Sequence, residues 1–328
     1  MRMILIKAAL TLLCLIATLW GAMAFYYQFP HPSARALVAG AWVVLGLSSS
    51  LALWGWPKPA MALFGSCFLL QLLWWHSITP RADRDWAPEV AQLATGHYSG
   101  DWATLDHVRN FNWRSLDDYD VRWERRQYDL STLQSVDMLL SEWGVKGIAH
   151  VLVSFGFTNG DYLTFSVEIR KERDEKFSEY GGFFKQFEAS IIAADERDIV
   201  RVRTNIRKET VGLYRVNLSP DARRALFIAY INHANQLARA PAFYNTLTAN
   251  CTTVVYEMLQ KIVGGIPLDY RLLLSAYLPE YLHRLGATAQ GVGIIALREQ
   301  GAINARAQAA AGADDFSAQI RRGVPGVD

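Results

Sequence analysis

Three apolar runs open the chain, Ile4–Phe25, Leu37–Trp54 and Ala60–Ile78, each close to the ~20 residues that cross a bilayer core. Short connections with two prolines apiece, Gln28–Ala36 and Gly55–Pro59, separate them. After Pro80 the pattern shortens and becomes mixed. Residues 81–145 are polar and aromatic, with a helix predicted around Ser131–Trp143. From Ile148 onward alternation predicts strands at His150–Phe157 and Tyr162–Arg170, flanking the turn signal Asn159-Gly160. Further strands are expected at Ala189–Ala193, Ile199–Arg203 and Val211–Val216. Ser219-Pro220 then reads as an N-cap and first helical residue, opening a helix through about Ala238. A second helix is expected from about Cys251 to Ile262, ending at Gly264-Gly265, and a short one near Pro279–Leu285. The Ala/Gln/Gly-rich stretch after Ala296 reads as a loose tail. The division is a three-helix membrane anchor over 1–80, an α+β body over 81–290 and a flexible C-terminal tail over 291–328. No internal repeat interrupts it.

Charge sharpens this division. Among 328 residues there are 33 basic and 31 acidic side chains, yet residues 1–80 hold no Asp or Glu and only Arg2, Lys7, Arg35 and Lys58. The rest carries 29 basic and 31 acidic groups. A near-neutral body with no cationic block gives no reason to expect nucleic acid binding. Six of the 11 tryptophans lie in the first 80 residues, several at the run ends where amphipathic rings favour the interface. Cations at the N-terminus and at Lys58 place those points on the cytoplasmic side, so three crossings leave everything after Pro80 outside. Ala22-Met23-Ala24 also has the form of a signal-peptide cleavage site, and cleavage there would leave two spans. Either reading puts the body on the extracytoplasmic side, the periplasm if the membrane is a bacterial inner membrane.

Cys14 and Cys67 fall inside the apolar runs, which leaves Cys251 alone in the body. It follows Asn250 at the start of a predicted helix. There the free N–H groups and helix dipole favour a thiolate and could bind an oxyanion, with Asn250 and Thr252 beside it. The hairpin supplies a base. If its loop has an odd number of residues centred on Asn159, Val151, Val153 and Phe155 share an apolar face with Phe165, Val167 and Ile169. His150 then falls opposite Glu168, with Ser166 on the same polar face. An imidazole oriented by a carboxylate beside a thiol is the arrangement of a nucleophilic enzyme. A surface His–Glu pair and an inert thiol are the bland alternative. No histidine or cysteine spacing suits a metal, and no cofactor is expected. Asp195-Glu-Arg-Asp198 and Arg201, Arg203 and Arg207 fit either an anionic head group or, more simply, salt-bridged strand sides. Phe177, Phe183, Phe184 and Phe187 fit core packing better than insertion into a bilayer.

Four motifs occur in one order: His150-Val-Leu-Val-Ser-Phe-Gly-Phe157, Ser166-Val-Glu-Ile-Arg-Lys-Glu172, Asp195-Glu-Arg-Asp198 and Tyr244-Asn-Thr-Leu-Thr-Ala-Asn-Cys-Thr-Thr253. Together they resemble the Lnb N-terminal periplasmic domain family, named for a bacterial lipoprotein N-acyltransferase, over roughly residues 105–260. The order of a strand histidine and a later Asn-Cys is similar to lecithin:retinol acyltransferase and other circularly permuted papain-like (NlpC-type) enzymes. The resemblance implies that fold, with Cys251 and His150 reacting, Glu168 orienting, and Tyr244 and Asn245 near the substrate. It also implies a phospholipid acyl donor and a lipoprotein amine acceptor. Hydrolysis of a lipid ester or cell-wall amide by the same groups, and a non-catalytic lipid- or partner-binding module, are the rival expectations.

Overall fold

The structure, a computed structural model, describes residues 1–327. Residues 1–81 and 177–187 make one compact unit, and residues 82–176 with those from 188 onward make the other.

In the first unit the apolar runs form α1 (Arg2–Gln28), α2 (Arg35–Ala52) and α3 (Pro57–Ser77), and three helical stretches here are long and apolar enough to cross a membrane. Small residues let them approach: Gly46 lies against Thr18, and Gln71 Nε2 donates to the Gly21 carbonyl at 2.8 Å. Residues 177–187 pack on the ends of α1 and α3. Phe184 stacks on Tyr27 with ring centroids 5.6 Å apart, and Lys185 Nζ donates to the carbonyls of Trp75 (2.7 Å) and Ile78 (3.1 Å). Phe184 therefore packs on the apolar helices, while Phe177 and Phe183 are exposed and Phe187 is buried.

The second unit is an eight-stranded sheet with helices on both faces. It begins with β1 (Thr95–Ser99), β2 (Trp102–Arg109), the two-stranded ribbon of β3 (Asn112–Trp113) and β4 (Tyr119–Asp120), and β5 (Trp123–Asp129). β6 (Leu133–Glu142), β7 (His150–Phe157), β8 (Tyr162–Arg170) and β9 (Glu188–Ala194) form its antiparallel centre. After α4 (Glu196–Arg201) comes β10 (Thr210–Arg215). The order is β1-β2-β9-β8-β7-β6-β10, with β5 also on β2. α5 (Pro220–Arg239) and α6 (Thr253–Val263) cover one face, burying Phe227, Tyr230, Val254 and Met258 on Val153, Phe155 and Phe165. α7 (Leu278–Arg284) and α8 (Ile294–Gly301) follow, then α9 (Asn304–Ala309) and α10 (Phe316–Arg321), which bury Ile303, Phe316 and Ile320 with Leu139, Leu152 and Leu213 on the other face.

Three expectations are corrected. Residues 133–142 are a strand, because their alternation runs Val136, Met138 and Leu140 to one core and Ser135, Asp137, Leu139 and Ser141 to the other face. The helix-start signal belongs to a single turn at 130–132, where Asp129 accepts from the Ser131 N–H. Residues 199–203 are helical, since Asp195 caps α4 by accepting from the Arg197 N–H and acidic residues fill its first turn. A wider π-type turn then runs through Val202–Arg207. The stretch over 291–327 is no loose tail. Ile303 N–H bonds to the Val211 carbonyl (3.0 Å) and Asn304 Oδ1 accepts from the Val211 N–H (2.8 Å), which occupies the open edge of β10.

Candidate functional site

The site is built where β7 starts, β8 ends and α6 begins. The observed hairpin pairs Leu152 with Ser166, Val153 with Phe165 and Gly156 with Tyr162, the register set by an odd loop centred on Asn159. His150 and Glu168 consequently face one another. His150 Nε2 lies 2.7 Å from Ser166 Oγ and 3.1 Å from Glu168 Oε1, and Ser166 Oγ donates to the same Oε1 at 2.7 Å. That leaves Nδ1 as the ring nitrogen free to meet the thiol. Cys251 is buried next to this ring, and the His150 side chain and the Val151 N–H both act to stabilise its thiolate.

Asn250 makes the helix start. Its carbonyl accepts from the Val254 N–H (3.1 Å), while its Oδ1 accepts from the N–H groups of Thr252 (2.8 Å) and Thr253 (2.9 Å). Those two amides are thereby spent, so Thr252 and Asn250 have no free donor of this kind for an oxyanion. The Cys251 N–H lies near the Tyr244 hydroxyl and acts on it to favour the phenolate. Asn245 turns out to shape its own loop: Oδ1 accepts from the Leu247 and Thr248 N–H groups, both at 3.0 Å.

The electrostatics follow from this packing. Burial opposes charge on all three titrating groups, but their mutual attraction outweighs it. Despite burial, the Glu168 carboxylate and the Cys251 sulfur raise the His150 pKa to about 9. Burial pushes the Cys251 thiol up, yet the His150 ring holds it below its ordinary value. Glu168 lies well below the usual carboxylate range for the same reason, aided by Arg203. These shifts all run in one direction, toward the thiolate–imidazolium–carboxylate form and away from the neutral one.

Arg203, read from the sequence only as an anion-binding or strand-side arginine, is a further member of the site. Its Nη2 donates to Glu168 Oε1 at 2.7 Å and its Nη1 to the Ile199 carbonyl at 2.8 Å, with the side chain almost wholly buried. It sits in the π-type turn after α4, on the residues expected to be strand. The acidic motif before it is internal, not a solvated face. Asp198 accepts from Arg109 Nε (2.8 Å) and Nη2 (3.0 Å), from the Phe111 N–H (2.9 Å) and from Trp113 Nε1 (2.7 Å). Glu196 pairs with Arg321, and Asp195 with Arg126. None of the three carboxylates is left to receive a ligand.

Residues 119–276 match the family model of the Lnb N-terminal periplasmic domain. The match takes in Tyr244, Cys251 and the whole hairpin with His150, Ser166 and Glu168, and Arg203 as well, but neither the apolar helices nor α8–α10. It supports the resemblance carried by the four sequence motifs, and with the three apolar helices it fits a membrane-anchored protein with a periplasmic domain. No curated protein and no solved structure matches the chain.

Proposed function

We propose that the body is a thiol acyltransferase of permuted papain-like fold, held in a bacterial inner membrane with its site on the periplasmic side. The single observation that carries this reading is the Cys251–His150–Glu168 chain at the start of α6. The Cys251 thiolate attacks the ester carbonyl of a phospholipid, forming a C–S bond. The tetrahedral oxyanion collapses, the ester C–O bond breaks, and the proton on His150 passes to the departing alkoxide of the lysolipid. In the second half the amine of a lipoprotein attacks the thioester carbonyl. The C–N bond forms, the C–S bond breaks, and the amine proton returns to His150. Glu168, held by Ser166 and Arg203, keeps the ring oriented and stabilises its charge.

A thioester intermediate is the distinguishing product. Full-length protein mixed with phospholipid should gain one acyl chain by intact mass spectrometry, and neutral hydroxylamine should remove it. An adduct that persists until an amine is added fits a transferase, whereas rapid loss to water fits a hydrolase acting through the same residues. Absence of any adduct on Cys251 overturns the reading.

The oxyanion site should be small. With Thr252 and Thr253 amides spent on Asn250, the Cys251 N–H is the donor at hand, and the Tyr244 hydroxyl lies near it. Burial raises the Tyr244 phenol above its ordinary value, so its O–H stays protonated and able to donate to an incoming oxyanion. Tyr244→Phe is expected to lower kcat by about 10²–10³, the weight of one oxyanion donor, with KM little changed. Its Cys251 alkylation rate should match wild type, because the thiolate is set by His150. A rise in KM at constant kcat would make Tyr244 a binding residue instead.

A further inference from the structure

We infer that the two loops on the His150 side of the site form a lipid-docking surface through which the body rests on an anionic bilayer. The first loop runs from the end of β6 to β7, and the second from α6 to α7. They are bonded together directly beside His150. Ser275 Oγ donates to the Ala149 carbonyl at 2.6 Å and accepts from the Ala149 N–H at 2.8 Å, and the Ala276 N–H reaches the Gly147 carbonyl at 3.2 Å.

These loops expose what a folded body normally hides. Leu268 is 83% exposed, Tyr270 64% and Leu273 53%, with Leu274, Trp143 and Val145 exposed beside them. Scattered surface leucines need no explanation, but six large apolar groups on two joined loops do. A second copy or a protein partner could cover such a surface, and so could lipid. Three features favour lipid. The aromatic groups are Trp143 and Tyr270, the two types that prefer the head-group level, while the remaining four are aliphatic. Charge is complementary to anionic head groups. Residues 143–149 contain Lys146 and no acid, and the single acid of residues 263–277, Asp269, is neutralised by Arg271 (2.8 Å) and Arg284 (2.5 Å). Finally, the same chain carries helices long and apolar enough to cross a membrane, so a lipid surface is always present at high effective concentration.

The surface has a direct consequence for the proposed chemistry, on which it does not depend. A lipid drawn up between these loops would arrive with its ester beside His150 and Cys251. The Ser275–Ala149 clasp would then couple docking to the strand that carries the base.

The test is photo-crosslinking in the full-length Cys251→Ala protein, so that failure of the thiol reading leaves it untouched. A benzophenone amino acid is placed at Leu268, at Leu273 or, as a control on the exposed β3–β4 turn, at Leu116, and the protein is reconstituted into phosphatidylethanolamine/phosphatidylglycerol vesicles. Phospholipid adducts are expected at 268 and 273 and not at 116. Lys146→Gln should reduce the adduct at 273 about fivefold in these vesicles, the weight of one interfacial cation. It should leave the yield unchanged in phosphatidylcholine vesicles. Equal yields at all three positions, no adduct at 268 or 273, or a protein–protein crosslink in place of the lipid adduct overturns the inference.

Discussion

Cys251→Ala is expected to abolish acyl transfer, a loss of at least about 10⁴-fold, and His150→Ala to lower it by about 10²–10⁴-fold. The two variants differ in a second reading. With His150 intact, Cys251 should be alkylated by iodoacetamide at lower pH than an ordinary cysteine, because the imidazolium holds its thiol pKa down. His150→Ala leaves the same buried thiol with no cation beside it, so desolvation and the Glu168 charge outweigh the Val151 N–H and the alkylation limb should move to higher pH. Glu168→Gln should fall between these, keeping the geometry but losing the charge that supports the ring.

The pH dependence has a sign that separates catalysis from mere thiol reactivity. His150 titrates at about 9, so its charged form persists at neutral pH and is lost as pH rises through that value. Turnover needs that proton for the leaving alkoxide and should decline above about 9. Alkylation needs only the thiolate and should not decline. Parallel profiles for the two reactions would mean that His150 does not act as an acid. If Cys251→Ala still transfers acyl groups at the wild-type rate, the chemistry lies elsewhere altogether.

Much of this site is legible in the sequence, for a simple reason. A β-hairpin with one apolar face has few registers, and only an odd loop keeps Val151, Val153, Phe165 and Val167 together; His150 opposite Glu168 follows from that constraint. Asn250 was legible for the same kind of reason, since an Asn before a polar-to-apolar switch is a local cap signal that needs no tertiary context. Arg203 was not. Its role depends on a helical turn whose Arg/apolar alternation over 199–203 imitates a strand, and the Asp195 cap that decides the matter is a single residue. Residues 133–142 failed in the opposite direction, because Leu139, buried on the other face, breaks their polar–apolar alternation and the Asp129/Ser131 turn just before them imitates a helix start. The C-terminal stretch misled through composition: its alanines look like low complexity, yet Ala307 and Ala310 are buried, and Gly301 lies so close to the Leu213 carbonyl that a Cβ there would sit 2.9 Å from the oxygen.

That stretch leads to the largest expected effect on stability. Arg321 on α10 is buried between two carboxylates that are themselves fully buried: Nε meets Asp137 Oδ2 at 2.9 Å, and Nη1 and Nη2 each meet Glu196 at 2.7 Å. Its guanidinium also lies 3.6 Å above the Tyr162 ring. Arg321→Ala leaves Asp137 with Arg215 and Glu196 with only the Ser154 hydroxyl, which is too little for a charge taken out of water. The expected cost is about 3–5 kcal/mol, a fall in Tm on the order of 10 °C for a body of this size. Arg321→Met combined with Glu196→Gln should recover part of it, because the second change removes the stranded charge. Well below the transition, Cys251 alkylation in Arg321→Ala should stay near wild type, since Asp198 still binds Arg109 and Asp195 still caps α4, the segment that leads to Arg203. An unchanged Tm in thermal unfolding of the full-length protein would mean that α10 does not hold the sheet in solution. A lowered Tm with slowed alkylation at low temperature would mean instead that α10 supports the site through α4.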